Sequence, residues 1–305
     1  MSIKVGVIGT GYLGQHHARV YSEIPNVELV ALVDTDEKKA GELAQKYHCK
    51  AYSDYKDVIN SLDAVSIVTP TITHHKIALD FLKAGKDILL EKPMTVSVAE
   101  ADELIVEAEK AGCILQVGHI ERYNPAVTAM SGMIKEPLFL ESERLSPFLG
   151  RGTDVDITLD LMIHDIDIML GFAHSPVKEI KAKGMSVLTD KIDLAWAWLE
   201  FENGCAAMAT ASRISTEKKR MLKIFQKDSY VFADYQSHEI RRYFKKDGEV
   251  LSETINPEKK EPLKQELADF IRCVKERKRP VVSGMEGRNA LKIALEITDK
   301  IKNTK

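Results

Sequence analysis

Cysteine is scarce in this sequence, and the few cysteines lie far apart along the chain. The 305 residues include four of them: Cys49, Cys113, Cys205 and Cys273. They form no Cys-x-x-Cys pair and no cluster with histidines, so neither a zinc module nor a disulfide framework is indicated. We therefore expect all four to be reduced thiols in a cytoplasmic protein.

An excess of positive charge and long apolar runs are also missing. Lys and Arg total 43 against 46 for Asp and Glu, which gives a net charge of -3. No global basic field attracts nucleic acid or an anionic membrane, so any phosphate site must be local. No apolar stretch approaches the roughly 20 residues that span a bilayer, and the N-terminal residues enter a strand pattern without a signal-peptide core. These absences predict a cytoplasmic protein with no nucleic-acid or membrane partner.

The first part of the chain alternates short apolar strands with helical stretches. Runs such as Val27 to Asp34 and Ala64 to Thr69 are rich in Val, Ile and Leu, and each is followed by a helical pattern. Such strands are typical of a parallel sheet covered by helices on both faces. We predict an α/β, doubly wound parallel Rossmann domain over residues 1–122.

After Pro125 the pattern changes to consecutive strands joined by tight turns. Asn203-Gly204 separates two strand patterns and is a strong hairpin signal. Two amphipathic helices, from Pro262 to Glu276 and from Met285 to Ile301, follow the strands. We predict that residues 123–305 form an α+β domain with an open, mostly antiparallel sheet.

A glycine-rich segment follows the first strand. Gly9, Gly11 and Gly14 give the pattern G-x-G-x-x-G, which is informative here because a buried strand precedes it and a helix follows. Gly9 permits a tight turn, Gly11 lets the backbone approach a pyrophosphate, and Gly14 lets the helix pack on the strand. The helix N-terminus offers unpaired N–H groups to the phosphates. The alternative is a glycine turn that only packs.

An acidic residue ends the second strand. Asp34 lies 20 residues beyond Gly14, where a carboxylate accepts hydrogen bonds from ribose hydroxyls and repels a 2′-phosphate. Thr35 and Asp36 follow, with no arginine at either position. The sequence therefore favours NAD over NADP.

Two further segments carry groups suited to proton transfer. Lys92 follows a strand, at the edge where parallel sheets bind ligands, although an isolated Glu-Lys-Pro segment would favour a surface lysine after a strand. Asp160 and His164 are spaced i and i+4 and share a helix face. Histidine titrates near neutral pH and suits proton abstraction. Asp167 raises the alternative of a metal site, but a catalytic site needs three converging ligands and an open position.

Five segments together are similar to the glucose–fructose oxidoreductase / inositol dehydrogenase / MocA (Gfo/Idh/MocA) family. They are residues 9–14 with His17, 69–74 (TPTITH), 84–93 (AGKDILLEKP), 118–125 (GHIERYNP) and 160–167 (DLMIHDID). Two positions depart from the family pattern, since Thr71 replaces the usual Asn and Met162 stands where Gly is common.

The resemblance implies a sugar-type dehydrogenase without a metal. It implies that Lys92, Asp160 and His164 form a catalytic group, and that hydride passes from a ring carbon of the sugar to NAD beside them. His164 would act as base, Lys92 would polarise the oxygen, and Asp160 would orient the substrate or tune Lys92; whether His164 or Lys92 first takes the proton stays open. The implied cofactor contacts are Gly9, Gly11, Tyr12, Leu13, Gly14, Asp34, Thr69, Pro70, His74, Glu91 and Lys92. The implied substrate contacts are His119, Arg122, Asn124, Arg151, Asp160 and His164.

Two of the segments resemble one branch of the family more specifically. GHIERYNP and DLMIHDIDI are similar to the branch that oxidises the 3-hydroxyl of UDP-N-acetylglucosamine for lipid A sugar synthesis. A diphosphate substrate needs local cations, and the candidates are Arg144, Arg151, Arg213, Lys218, Lys219 and Arg220. The alternative for residues 218–220 is a solvated turn.

Other functions and the assembly state also follow from particular residues. A dehydrogenase for inositol or another free sugar is the main alternative, and it would not need these cations. A non-catalytic NAD-binding sensor is expected to lack Lys92 or His164, and a biliverdin-reductase-type enzyme does not need the Asp160/His164 pair.

Trp196 and Trp198 alternate with apolar residues, so both strand faces need cover. We expect a homodimer or homotetramer through the second-domain sheet.

Overall fold

The computed structural model describes residues 2–150 and 155–303. Its contacts divide the chain into two units. The first comprises Met1–Ile120 and Glu261–Arg288, and the second comprises Glu121–Lys260 and Asn289–Lys305.

The first unit contains a six-stranded parallel sheet. Its strands are β1 (Ile3–Ile8), β2 (Val27–Val33), β3 (Lys50–Tyr52), β4 (Ala64–Ile67), β5 (Asp87–Glu91) and β6 (Leu115–Gly118). They run in the order β3-β2-β1-β4-β5-β6, with every neighbouring pair parallel. This order reverses direction between β1 and β4, and sheets of this kind bind ligands outside the carboxyl ends of the strands at that point. The predicted doubly wound Rossmann domain is confirmed.

Helices connect these strands and begin and end at identifiable residues. They are α1 (Tyr12–Glu23), α2 (Glu37–Tyr47), α3 (Thr71–Lys83) and α4 (Val98–Ala111), with a 3-10 segment at Tyr55–Ser61. Asp36 caps α2 and Ser97 caps α4 by accepting backbone N–H groups, while α4 ends at Gly112 in the left-handed conformation.

A segment distant in sequence completes the first unit. Helix α7 (Pro262–Glu276) buries Leu267 and Phe270 in the same apolar cluster as Val5 and Ala18. The sequence assigns this segment to a second domain at 123–305, whereas the contacts place Glu261–Arg288 with the first unit. The reason is that α7 is amphipathic, and its apolar face packs against α1 and the sheet.

The second unit is built on an eight-stranded sheet. Its strands are β7 (Pro137–Leu145), β8 (Val177–Met185), β9 (Leu194–Phe201), β10 (Ala206–Ser212), β11 (Lys219–Gln226), β12 (Ser229–Asp234), β13 (Glu239–Lys246) and β14 (Glu249–Ile255). They lie in the order β14-β13-β12-β11-β7-β10-β9-β8, and β7 with β10 is the one parallel pair between these strands. The predicted open, mostly antiparallel sheet is confirmed.

Helices cover one face of this sheet. They are α5 (Pro125–Ser131), a π-helical turn at Thr158–Met162, α6 (Ile163–Ala173) and the later residues of α8 (Gly284–Asn303); a 3-10 segment spans Ile120–Tyr123. Ala195, Ala197 and Leu199 of β9 are buried and belong to the same core cluster as Ile166 and Met169 of α6. Small side chains on the sheet let the helix approach closely.

The opposite face of the sheet carries a row of aromatic side chains. Trp198, Phe139, Phe225, Tyr230 and Tyr243 follow one another across the strands with ring centroids 5.4, 5.9, 4.8 and 5.9 Å apart. Their rings are partly exposed, so this face presents apolar area. Among the helices that the structure describes, none has the length and hydrophobicity needed to cross a membrane.

Candidate active site

The glycine-rich turn joins β1 to α1 at the carboxyl edge of the first sheet. Gly9 has a φ of +94°, and a Cβ there would lie 2.5 Å from the carbonyl oxygen of Val68. A Cβ on Gly14 would lie 1.8 Å from the carbonyl oxygen of Gly9, so only glycine lets the helix pack this closely. At Gly11 a Cβ would meet no described atom within 4 Å, which leaves the backbone open to a ligand.

The start of α1 has the properties of an anion site. Gly11 is the N-cap residue, and within the described first turn no side chain caps the helix and no acidic residue is present. Tyr12 and Leu13 are exposed beside it. The N–H groups at a helix N-terminus and the helix dipole favour a phosphate, so these residues fit the pyrophosphate of a dinucleotide.

Asp34 lies next to this turn, directly after β2. Its Oδ2 accepts hydrogen bonds from the Thr10 backbone N–H at 2.7 Å and the Thr10 hydroxyl at 2.8 Å, and its Oδ1 accepts the Asp36 N–H at 3.0 Å. Burial raises the pKa of Asp34, but these hydrogen bonds outweigh it and hold the pKa below its usual value. The ionised carboxylate keeps acceptor capacity for a ribose hydroxyl.

The loop after β4 is tied to the loop after β5 by one histidine. His74, on α3, is buried, and its Nε2 and Nδ1 lie 2.8 Å from the Thr69 carbonyl oxygen and 3.0 Å from the Pro93 carbonyl oxygen. Burial lowers the pKa of His74. Thr69 and Pro70 precede α3, with Pro70 at its N-cap. The neutral ring donates one N–H, so His74 hydrogen-bonds one of these carbonyls and contacts the other, and it lies against both loops at the ligand edge.

Lys92 directly follows β5 and is half-buried. The preceding Glu91 is buried, with its Oε1 3.1 Å from Nε2 of His17 and its Oε2 accepting the Lys92 backbone N–H at 3.2 Å. Burial raises the pKa of Glu91, but the hydrogen bond and charge of His17 outweigh it and lower the pKa. The carboxylate predicted to contact the cofactor is therefore engaged by protein groups.

In the second unit, Asp160 lies within the π-helical turn and His164 in the first turn of α6. His164 is 9% exposed, and Asp160 is more accessible. Single π-helical turns are uncommon and frequently occur at functional sites. The turn therefore marks this segment independently of its sequence motif.

Next to His164 lies a buried ionic cluster. Arg144 of β7 donates to both carboxylate oxygens of Asp165, at 2.6 and 3.1 Å, and to Glu121 at 2.9 Å. Burial lowers the pKa of Arg144, but the two carboxylates outweigh it and raise the pKa. Burial raises the pKa of Asp165, while Arg144 outweighs burial at Glu121 and lowers its pKa.

Comparison with known proteins decides the family. Residues 3–119 match the model of an oxidoreductase family with an NAD-binding Rossmann fold, and residues 134–231 match the Gfo/Idh/MocA C-terminal domain. The chain belongs to the Gfo/Idh/MocA family. This confirms the resemblance, and as a member of the family the chain is a nicotinamide-dependent oxidoreductase.

Individual Gfo/Idh/MocA relatives match over nearly the whole chain. UDP-N-acetylglucosamine 3-dehydrogenase of Acidithiobacillus ferrooxidans is 35% identical over 302 residues, covering 97% of this chain and 96% of the relative. A solved structure of UDP-N-acetylglucosamine 3-dehydrogenase from the same organism has a TM-score of 0.94 at 34% identity, covering 99% and 98% of the two chains. Myo-inositol 2-dehydrogenase of Thermotoga maritima is 28% identical over 312 residues, covering 95% and 93%.

The other predicted substrate residues of this Gfo/Idh/MocA chain have varied surroundings. His119 is buried, and Arg122 donates to the Asp167 carbonyl oxygen at 3.2 Å. Asn124 caps α5 by accepting the Ala126 N–H at 3.0 Å. Arg151 lies outside the described residues. Asn124 therefore has a structural task that the sequence motif does not reveal.

The cations proposed for a diphosphate separate into two groups. Arg144 and Arg213 are 2% and 5% exposed, and Arg213 donates to the Val155 carbonyl oxygen at 2.7 Å. Burial thus removes both from the surface cations of the second unit, contrary to the sequence expectation. Lys218 is exposed, Lys219 pairs with Glu143, and the half-exposed Arg220 lies 3.4 Å from Glu121. Within residues 2–150 and 155–303, no group of three His, Cys, Asp or Glu side chains is arranged to hold a metal ion.

His17 has no role in the sequence-based prediction, and Arg144 is wrongly predicted there to be a surface cation. Gly14, His17, Ala18 and Tyr21 have the spacing of one helix face, and all four are buried. Arg144 has the same strand parity as Leu140, which faces the core. These periodicities were readable signals for burial, although not for the partners.

Proposed function

We propose that the protein oxidises the 3-hydroxyl of UDP-N-acetylglucosamine to a ketone, with NAD as the hydride acceptor. The observation that carries this proposal is the 35% identity to a UDP-N-acetylglucosamine 3-dehydrogenase along 97% of the chain. Inositol dehydrogenases that match over comparable lengths are 26% and 28% identical. The similarity therefore extends through both units and is higher for the nucleotide-sugar enzyme.

Asp34 supports the choice of NAD. Its carboxylate is ionised, lies beside the glycine-rich turn and is accessible to a ligand. Such a group binds ribose hydroxyls and repels a 2′-phosphate. Asp36 adds a second negative charge two residues later.

Three side chains are assigned to the chemistry. Bound NAD supplies the ring carbon that accepts hydride from the sugar. His164 takes the hydroxyl proton, Lys92 polarises the same oxygen through its ammonium group, and Asp160 orients the sugar. The support is the buried position of His164 at the start of α6, the π-helical turn at Asp160, and Lys92 at the ligand edge of the first sheet.

The diphosphate is assigned to cations of the second unit that retain exposed area. Arg220 has several N–H donors beyond its 3.4 Å contact with Glu121, and Lys218 lies two residues away and is exposed. The partly exposed aromatic row of the sheet supports a homodimer or homotetramer, because contiguous apolar area on a soluble protein needs cover.

The first experiment follows NADH absorbance with purified protein, NAD and three substrates: UDP-N-acetylglucosamine, myo-inositol and glucose. A parallel assay adds a 2-oxo acid to recycle tightly held cofactor, and it is followed by mass spectrometry of the oxidised sugar because no NADH then accumulates. We expect turnover of the UDP-sugar, reduced by about 10²- to 10⁴-fold in Lys92→Ala and in His164→Ala. Lys83→Ala and His75→Ala, two changes on α3, are the matched controls.

The outcomes separate the alternatives. Turnover of inositol alone would favour the free-sugar dehydrogenase, which the 28% identical inositol enzyme also supports. Full activity in Lys92→Ala or His164→Ala would contradict the catalytic assignment, whichever sugar reacts.

A further inference from the structure

We propose that His17 is a positioning residue that fixes the backbone of Lys92 through the carboxylate of Glu91. The inference rests on the proposed catalytic role of Lys92. It assigns a task to a buried pair that the chemistry described above does not use.

One carboxylate links helix α1 to the residue that carries the candidate catalytic amine. His17 is fully buried on α1, and its Nε2 lies 3.1 Å from Oε1 of Glu91. The second oxygen, Oε2, accepts the backbone N–H of Lys92 itself at 3.2 Å. A movement of His17 is therefore passed through two hydrogen bonds to the backbone of Lys92.

The position of the carboxylate depends on a glycine in the neighbouring strand. A Cβ on Gly118 of β6 would lie 2.9 Å from Cδ and from both oxygens of Glu91. The missing side chain thus provides the space in which the carboxylate turns toward His17. Since Glu91 is 8% exposed, few alternative orientations are open to it.

The residue after Lys92 is held from another helix. His74 of α3 has its Nδ1 3.0 Å from the carbonyl oxygen of Pro93 and its Nε2 2.8 Å from that of Thr69. A neutral imidazole donates one N–H, so His74 hydrogen-bonds one of these carbonyls and contacts the other. Lys92 therefore lies between Glu91, in contact with α1, and Pro93, in contact with α3, and these contacts restrict the backbone from which its side chain extends.

A purely structural role for His17 makes a different prediction. If His17 only fills the core, its replacement lowers stability but leaves the surroundings of the Lys92 amine unchanged. If it positions Lys92, the replacement changes the reactivity of that amine in the folded protein, with or without substrate.

The test uses the full chain and trace labelling with acetic anhydride. Peptide mass spectrometry gives the labelling rate of Lys92 relative to the exposed Lys83 in the same molecule. For His17→Asn we expect this ratio to change by about threefold or more. His48→Asn is the matched control, because His48 is exposed and lies at the C-terminal end of another helix, α2. Its backbone has the left-handed conformation, which Asn tolerates.

Steady-state kinetics supply the second readout. For His17→Asn we expect kcat to fall by about 10- to 100-fold while KM for NAD changes little. Glu91→Gln keeps an acceptor for the Lys92 N–H, so it should retain more activity than Glu91→Ala. This pair of variants replaces His17→Asn if that variant folds poorly.

A wild-type labelling ratio in folded His17→Asn and Glu91→Ala would overturn the proposal. A wild-type protein inactive on every sugar would instead contradict the proposed function, while labelling still decides the role of His17.

Discussion

The two units hold a buried carboxylate beside a candidate catalytic residue in different ways. In the first unit Glu91 precedes Lys92 and contacts His17, and in the second Asp165 follows His164 and contacts Arg144. Arginine keeps its charge at any accessible pH. The second contact therefore involves a fixed cation, whereas the first is a hydrogen-bonded contact between a buried histidine ring and a carboxylate.

The two contacts differ in how many carboxylates the partner side chain binds, and this difference explains why one partner is an arginine and the other a histidine. Arg144 serves Asp165 and Glu121 together, and two buried carboxylates need a fixed cation with several donors. Glu91 instead contacts His17 with one oxygen and accepts the backbone N–H of Lys92 with the other. The carboxylate beside the candidate catalytic amine is thus contacted through directional hydrogen bonds.

Removing the arginine should give the largest effect. We expect Arg144→Met to lower the free energy of unfolding by about 3–5 kcal/mol, because two carboxylates remain buried without their cation. Urea unfolding followed by circular dichroism measures this. Arg241→Met on β13 is the control, since that side chain is exposed and its pair with Glu239 contributes at most about 1 kcal/mol. An equal loss of unfolding free energy in both variants would show that the buried contacts of Arg144 stabilise the fold no more than an exposed ion pair does.

A carboxylate held by backbone groups sharpens the comparison. Asp193 is fully buried, and its Oδ2 accepts N–H groups from Val187, Leu188 and Thr189 at 2.8, 2.7 and 2.9 Å. Burial raises its pKa, but these bonds and the Thr189 hydroxyl outweigh burial and lower the pKa to about 2. The folded-state pKa lies below the unfolded one, so its stabilisation is complete above about pH 4 and is lost as the pH falls toward 2.

Asp193→Asn should therefore lower the free energy of unfolding at pH 7 by on the order of 2 kcal/mol and flatten its decline between pH 4 and pH 2. Thermal unfolding at several pH values measures both. Asp190→Asn, three residues earlier and exposed, is the matched control. An unchanged acid slope in Asp193→Asn would assign the acid sensitivity to other carboxylates.

Local geometry explains which parts of the site could be predicted. A Cβ on Gly9 would clash with Val68, and a Cβ on Gly14 would clash with Gly9. Only glycine fits at these two positions, so a short sequence pattern is enough to locate the turn. Apolar runs followed by helical patterns likewise predict the first sheet, and strands joined by tight turns predict the second. The three-residue β3 and the exposed β14 carry no clear strand pattern and were not predicted.

Long-range partners explain what the sequence does not reveal. Arg144 looks like a surface cation for a diphosphate until its carboxylates, 21 and 23 residues away, are seen beside it. Helix α7 is recognisable as amphipathic, but its pattern does not say which unit covers its apolar face. Periodicity predicts burial, whereas the partner depends on the tertiary fold.

The smallest predicted effect concerns a carboxylate that remains open to a ligand. Asp34→Asn keeps an acceptor for Thr10 but removes the negative charge. It therefore separates the role of the Thr10 hydrogen bonds in the fold from the role of the charge in cofactor recognition. We expect NAD affinity to fall by about tenfold, or 1.4 kcal/mol, and the preference over NADP to shrink, because the 2′-phosphate is no longer repelled. Calorimetric titration with both cofactors measures this, and Asp57→Asn at an exposed site is the control. If both affinities stay at wild-type values, Asp34 belongs with the internal carboxylates rather than with the cofactor site.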